Sequence, residues 1–187
     1  MDLFRKIAVF LYDALQSVLI VAAVFLVIYI FVLQPHEVSG LSMFPTFQNR
    51  DYLLSYLLDV RFDKLKKGDI VVFKSPVEQD KLYIKRIIAI SGDKIKVQEG
   101  GVYLNGKKLD ESSYLQPDVM TYGGAFLQDG VDQTVPVGTV VVMGDNRPGS
   151  SDSRAWGFLD KKKLVGRSTM RIWPISTFEI IHNPFKQ

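Results

Sequence analysis

The sequence predicts a mainly β fold: one N-terminal transmembrane helix, then an antiparallel β-sheet domain carrying a smaller β-rich insertion. Three observations predict it. Residues 18–33 form an unbroken apolar run of 16 residues. Beyond it, short β-branched and aromatic runs alternate with Gly-, Asn- and Asp-containing turns. A polar, turn-rich stretch at 110–134 interrupts those runs.

The apolar run comes first. Residues 14–17 extend it to the roughly 20 needed to span a bilayer. It shows no polar face, unlike a helix packed on a soluble core. It also exceeds the 7–15 apolar residues of a cleavable leader and ends in Gln34-Pro35-His36-Glu37 without a small-x-small site. The expectation is therefore an uncleaved, single-pass anchor at 14–33, preceded by a cytoplasmic or interfacial segment at 1–13. Arg5 and Lys6 precede the span and no Lys or Arg follows before Arg50, which places the N-terminus in the cytoplasm and the rest outside.

The next stretch, SGLSMFPT (39–46), holds Ser42 between Gly40 and Pro45, the hydroxyl setting that an exposed nucleophile needs. Serines in such stretches more often shape turns, so the rest of the chain decides. Nine residues separate Ser42 from residue 33 and reach at most about 30 Å, so Ser42 works close to the membrane surface.

The runs at 70–73 and 82–90 read as buried strands, and 94–98 and 102–104 as successive hairpins around Glu99-Gly100-Gly101 and Asn105-Gly106. Residues 34–93 form the first part of the core and 94–134 an inserted hairpin lobe. Residues 135–187 complete the core, with strands at 139–143, 170–173 and 177–181. Lys161-Lys162-Lys163 reads as a solvated charge run, and 144–157 as a long loop.

The strand LYIKRIIAI (82–90) carries adjacent cations, Lys85 and Arg86, in an apolar setting. Neighbouring strand residues face opposite sides, so at least one is desolvated. Burial lowers a lysine pKa by up to about 3–5 units, and a neutral amine can take a serine's proton. Arginine stays charged and cannot. The loop GDNRPGSSDSRAWG (144–157) packs Asp145, Arg147, Asp152 and Arg154 among hydroxyls, a pattern suited to charge-assisted bracing.

Composition excludes other chemistries. The chain of 187 residues has no cysteine, so disulfides, thiol catalysis and cysteine-bound zinc are ruled out. His36 and His182 lie at opposite ends, which disfavours a histidine metal cluster, and neither lies in a motif that positions a base for a Ser-His-Asp triad. The net charge of +3 is too small to argue for nucleic acid.

With these pieces in order, the chain resembles the bacterial type I signal peptidases, membrane-anchored Ser–Lys serine endopeptidases. The resemblance rests on the N-terminal span, SGLSMFPT, KKGDIVVF (66–73), YIKRIIAISGD (83–93) and GDNRPGSSDSRAWG. It implies that Ser42 is the nucleophile and Lys85 its general base. It implies that Ser150 orients the lysine, that Asp145, Asp152 and Arg154 brace the loop with Arg86 nearby, and that Val38, Met43, Tyr83 and Ile84 line pockets for small side chains. The implied partners are exported preproteins with Ala-x-Ala-like sites and the lipid bilayer, with no metal, cofactor or nucleic acid. Oligomeric state is left open. One departure stands out: some members carry an oxyanion-assisting serine where this chain has Gly40, and Ser39 is one position further off. A self-cleaving Ser–Lys regulator and a non-catalytic membrane-tethered β scaffold remain the alternative readings.

Overall fold

The structure, a computed structural model, describes residues 2–185. Helix α1 (Asp2–Phe31) is long and apolar enough to cross a membrane. It starts twelve residues before the expected 14–33 segment, because residues 3–13 contain no Gly or Pro to stop it. It ends two residues early, because strand β1 (Leu33–Glu37) begins there around Pro35. Proline cannot continue a helix and biases the preceding residue toward extended backbone, and it is tolerated here on an edge strand. From Leu3 to Phe31 every α1 side chain is exposed.

Strand β2 (Tyr52–Tyr56) pairs with β1 and is followed by a short helix, α2 (Leu58–Arg61). Strands β3 (Ile70–Lys74) and β4 (Leu82–Ile90) form the centre, and both are buried over most of their length. Next come β5 (Lys94–Gln98), β6 (Gly101–Leu104) and β7 (Lys107–Lys108). Their turns place Glu99-Gly100 and Asn105-Gly106 at positive φ, the backbone that tight antiparallel hairpins require. Strands β8 (Gln133–Thr134) and β9 (Thr139–Met143) return the chain to the core. The stretch at 144–157 is not wholly loop: helix α3 (Ser153–Trp156) forms inside it, capped by the Asp152 carboxylate on the Arg154 N–H. Strand β10 (Leu159–Asp160) precedes a 3-10 turn at Lys161–Lys163. Strand β11 (Leu164–Trp173) begins six residues before the expected 170–173, and β12 (Glu179–Ile180) is shorter than the expected 177–181.

Among the described residues the main sheet runs β1-β2-β11-β3-β4-β9-β10, with β12 on β11, and the smaller sheet runs β7-β6-β5-β8. All ladders are antiparallel. The carboxy-terminal β11 inserts between β2 and β3, so the sheet that positions the site closes only when the last third of the chain has been placed. Ile88, Ala89, Val141 and Met143 of the main sheet share one apolar cluster with Ile95, Val97, Val102 and Leu104 of the smaller sheet.

Candidate active site

The turn bearing Ser42 follows β1. Phe44 N–H donates to Leu41 C=O and Phe47 N–H to Met43 C=O, while the buried Met43 and Phe47 side chains pin the turn to Ile70, Val72 and Ile84. Gly40 sits at φ +96°, and its N–H donates to Asn49 Oδ1 at 2.8 Å. The Ser42 carbonyl accepts from Asn146 N–H at 3.1 Å, and the Leu41 carbonyl accepts from Asn146 Nδ2 at 3.1 Å. Two distant sequence motifs thus meet through backbone bonds.

Lys85 is 4% exposed, and its Nζ lies 2.7 Å from Ser42 Oγ and 3.0 Å from the Ile84 carbonyl oxygen. Among the described residues no carboxylate bonds to it directly. Burial lowers its pKa from 10.5 to about 8, against the opposing pull of Asp152 and Asp145. A lysine of that kind has a sizeable neutral fraction near neutrality.

Arg86, the next residue, is 2% exposed and treated oppositely. Its Nε and Nη2 grip the Asp145 carboxylate at 2.9 and 2.7 Å, and Nη1 donates to the Gly68 carbonyl at 2.9 Å. The Tyr114 ring lies against the guanidinium, 4.2 Å from its centroid to Cζ. Thr46, four residues beyond Ser42, donates its hydroxyl to the same Asp145. Asp152 and Arg154 form a second forked pair, with both distances at 2.8 Å, and Asp152 also accepts from Gly144 N–H.

A cleft of about 250 Å³ opens at the Ser42–Lys85 contact. Val38, Met43, Tyr83 and Ile84 all line it, joined by Ser151 and by Leu41, Leu82 and Gly149, which the sequence did not single out. Their signal was position: each lies within two residues of one that was. A larger cleft of about 680 Å³, lined by Thr46, Tyr114 and His182 among others, excludes Ser42 and Lys85. Its arginines are already paired, Arg86 with Asp145 and Arg171 with Asp51 and Glu179.

Ser150 departs from expectation. Its Oγ is buried and finds no hydrogen-bond partner among the described residues, whereas Lys85 bonds to Ser42 and Ile84. The hydroxyl instead packs on Gly144. A Cβ there would lie 2.3 Å from both Ser150 Oγ and the Ser42 carbonyl oxygen, so only glycine lets the three approach.

This sequence has relatives. A family model described as "Signal peptidase, peptidase S26" matches residues 11–173. The chain belongs to that family. As an S26 peptidase it is a serine endopeptidase, a hydrolase. The S26 peptidase is 32% identical over 187 residues to "Signal peptidase IB" of Staphylococcus aureus (strain MRSA252), covering 92% of this chain and 96% of that one. It is 38% identical over 151 residues to "Probable signal peptidase I-2" of Synechocystis sp., covering 78% of this chain and 65% of that one. A crystal structure of a signal peptidase I from Enterococcus faecalis V583 aligns with a TM-score of 0.46 at 28% identity, over 55% of this chain and 95% of that one.

Proposed function

We propose that this peptidase removes signal peptides from exported preproteins with a Ser42–Lys85 dyad, cutting after small residues of an Ala-x-Ala-like site. The observation that carries the reading is the 2.7 Å contact between a buried amine, bonded to no carboxylate among the described residues, and the hydroxyl of a turn that lines a cleft. Neutral Lys85 Nζ accepts the Ser42 proton as Oγ bonds the scissile carbonyl carbon. The resulting lysine ammonium then protonates the departing amine as the C–N bond breaks, leaving an ester on Ser42 and a neutral amine. Water, activated by the same amine, hydrolyses the ester and restores both groups.

The Ser42 backbone N–H is taken by no acceptor among the described residues, which leaves it available to the oxyanion. The substrate's extended stretch enters the cleft as an added strand, its side chains alternating into the wall formed by Val38, Met43, Tyr83 and Ile84. We assign the small residues of the cut site to the positions that these side chains face. Asp145, Asp152 and Arg154 brace the loop that carries Asn146, and thereby the Ser42 carbonyl. Ser150 acts, on this geometry, by packing on Gly144.

Helix α1 holds the site at the bilayer. Asp13 is the last charged residue of α1, so the lipid-spanning part follows it, with the N-terminus cytoplasmic and the sheet domain outside. A cleavage site just beyond a substrate's apolar segment emerges at the same depth.

The test is cleavage of a purified test preprotein by the wild-type chain, Ser42→Ala and Lys85→Met, across pH. Both variants should lose activity by orders of magnitude, and wild-type kcat/KM should rise to a plateau above about pH 8. Normal cleavage by Lys85→Met would eliminate the base assignment, and self-cleavage in place of preprotein cleavage would point to a different target.

A further inference from the structure

The inserted lobe contributes one carboxylate that reaches the catalytic loop. Glu111 is buried at the foot of the lobe and grips Arg147, itself 1% exposed, through both guanidinium nitrogens: Nη1 to Oε2 at 3.2 Å and Nη2 to Oε1 at 2.5 Å. Thr121, also of the lobe, accepts from Nη1 at 2.5 Å. The remaining nitrogen, Nε, donates to the Gly144 carbonyl at 3.0 Å. The Arg147 carbonyl accepts from Arg154 Nη2 at 2.6 Å, which ties this fork to the Asp152–Arg154 pair. Tyr114 donates its hydroxyl to the same Glu111 carboxylate while its ring covers Arg86. Two buried arginines thus connect to one lobe residue, Arg147 directly and Arg86 through the Tyr114 ring.

Gly144 is where this convergence acts. A Cβ there would lie 2.3 Å from both the Ser42 carbonyl oxygen and Ser150 Oγ, and two residues on, Asn146 N–H holds the Ser42 carbonyl. We propose that Glu111 is a positioning residue for peptide hydrolysis: through Arg147 it fixes Gly144–Asn146, and through that segment the Ser42 turn. This rests on the assignment of Ser42 as nucleophile. The lobe is then a buttress of the nucleophile turn, 36 residues upstream of the loop it braces. A fork of this kind has one fixed geometry, so it transmits position where a flexible ammonium would not.

The acid must be charged for this. Left alone, buried Arg147 is an uncompensated cation, which no interior tolerates well. Glu111→Gln keeps the volume and one acceptor but removes the charge. Val38, Tyr83 and Ile84 of the cleft wall have no hydrogen bond to Glu111 or Arg147 among the described residues, so the loss should fall on kcat more than on KM.

Three measurements on the full chain in detergent test this. Glu111→Gln should lower kcat about tenfold, the scale of a small misplacement of reacting groups, with KM within twofold. Hydrogen–deuterium exchange of the peptide containing Asn146 should accelerate in Glu111→Gln, and equally when both proteins carry Ser42→Ala. In an Arg147→Met background, Glu111→Gln should change kcat no further. Thr121→Val, which deletes one acceptor without altering volume, gives a milder version of the same kcat loss should Glu111→Gln not fold. A folded Glu111→Gln with kcat within twofold of wild type overturns the proposal. So does lost kcat with unchanged exchange, or an effect that persists without Arg147. The exchange arm needs no catalysis, so it separates failure of the buttress from failure of the nucleophile assignment.

Discussion

Lys85 and Arg86 are adjacent on β4, equally buried, and treated in opposite ways. Arg86 is satisfied on three nitrogens and paired with Asp145. Lys85 has a hydroxyl and a carbonyl but, among the described residues, no directly bonded counter-ion. The strand's alternation sends them to opposite faces, and each face sets a different chemistry. Pairing makes a buried charge structural. Withholding the partner makes it costly, and a costly charge is one that readily gives up its proton.

The widest way to break this contrast is to remove each group. Lys85→Met should lower kcat/KM by about 10³-fold or more, as should Ser42→Ala, in line with losses seen when members of a catalytic unit are deleted. The sharper form is the pH profile. The wild-type limb near pH 8 belongs to Lys85, so activity should fall about tenfold per unit below it, and the residual activity of Lys85→Met should lose that limb. Both are read from steady-state cleavage of a preprotein.

On the other face, Asp145→Asn leaves Arg86 buried and uncompensated, and weakens the link to Thr46. The expected cost is about 3–5 kcal/mol in chemical denaturation. Replacing both partners, as Arg86→Met with Asp145→Leu, should recover most of it, because two apolar groups have no charge to desolvate. If Asp145→Asn were as stable as wild type, Arg86 would not be the structural half of the pair.

Much of this was legible in the residues themselves. The β-branched runs gave β3, β4 and β9, and Glu99-Gly100 and Asn105-Gly106 gave the hairpins, because those signals are local. The position of β11 between β2 and β3 was not, since strand order depends on pairing between segments far apart in the chain, such as Leu164 with Phe73 and Arg167 with Tyr56. Its early start was masked because Gly166, Arg167 and Ser168 lack strand-like side chains, although Leu164, Gly166 and Ser168 alternate inward. At the site, an apolar strand with two cations already implied that one would be desolvated. Glu111 escaped notice because its partner is 36 residues away in a segment that reads as variable. The setting of Ser150 was hidden for a related reason: where its hydroxyl lies depends on how Gly144 packs.

Stability gives a third, smaller test of the same contrast. The pKa of Lys85 is about 8 when folded, below its ordinary 10.5, so between those values the unfolded chain binds more protons. Its penalty is therefore full below pH 8, shrinks as pH rises, and is gone above 10.5. At pH 7 this amounts to about 3 kcal/mol at most, from 1.36 kcal/mol per unit. Lys85→Met should accordingly be more stable than wild type at pH 7, with the gap narrowing toward pH 10.5 in urea melts. Arg86→Met should show no such gain, since it strands Asp145.

The smallest effect concerns Gly40, beside the nucleophile turn. An added side chain there would meet open space, with nothing within 4 Å of its Cβ. Conformation is the obstacle: φ is +96°, where non-glycine residues are strained by about 1–2 kcal/mol. Gly40→Ser would carry a hydroxyl toward the oxyanion only by paying that strain or by moving the turn whose Gly40 N–H is held by Asn49. The expectation is a fall in Tm of about 2–6 °C with no gain in kcat. A rise in kcat at unchanged Tm would mean that the turn relaxes freely, and that the rigidity attributed to the Ser42 side of the comparison is overstated.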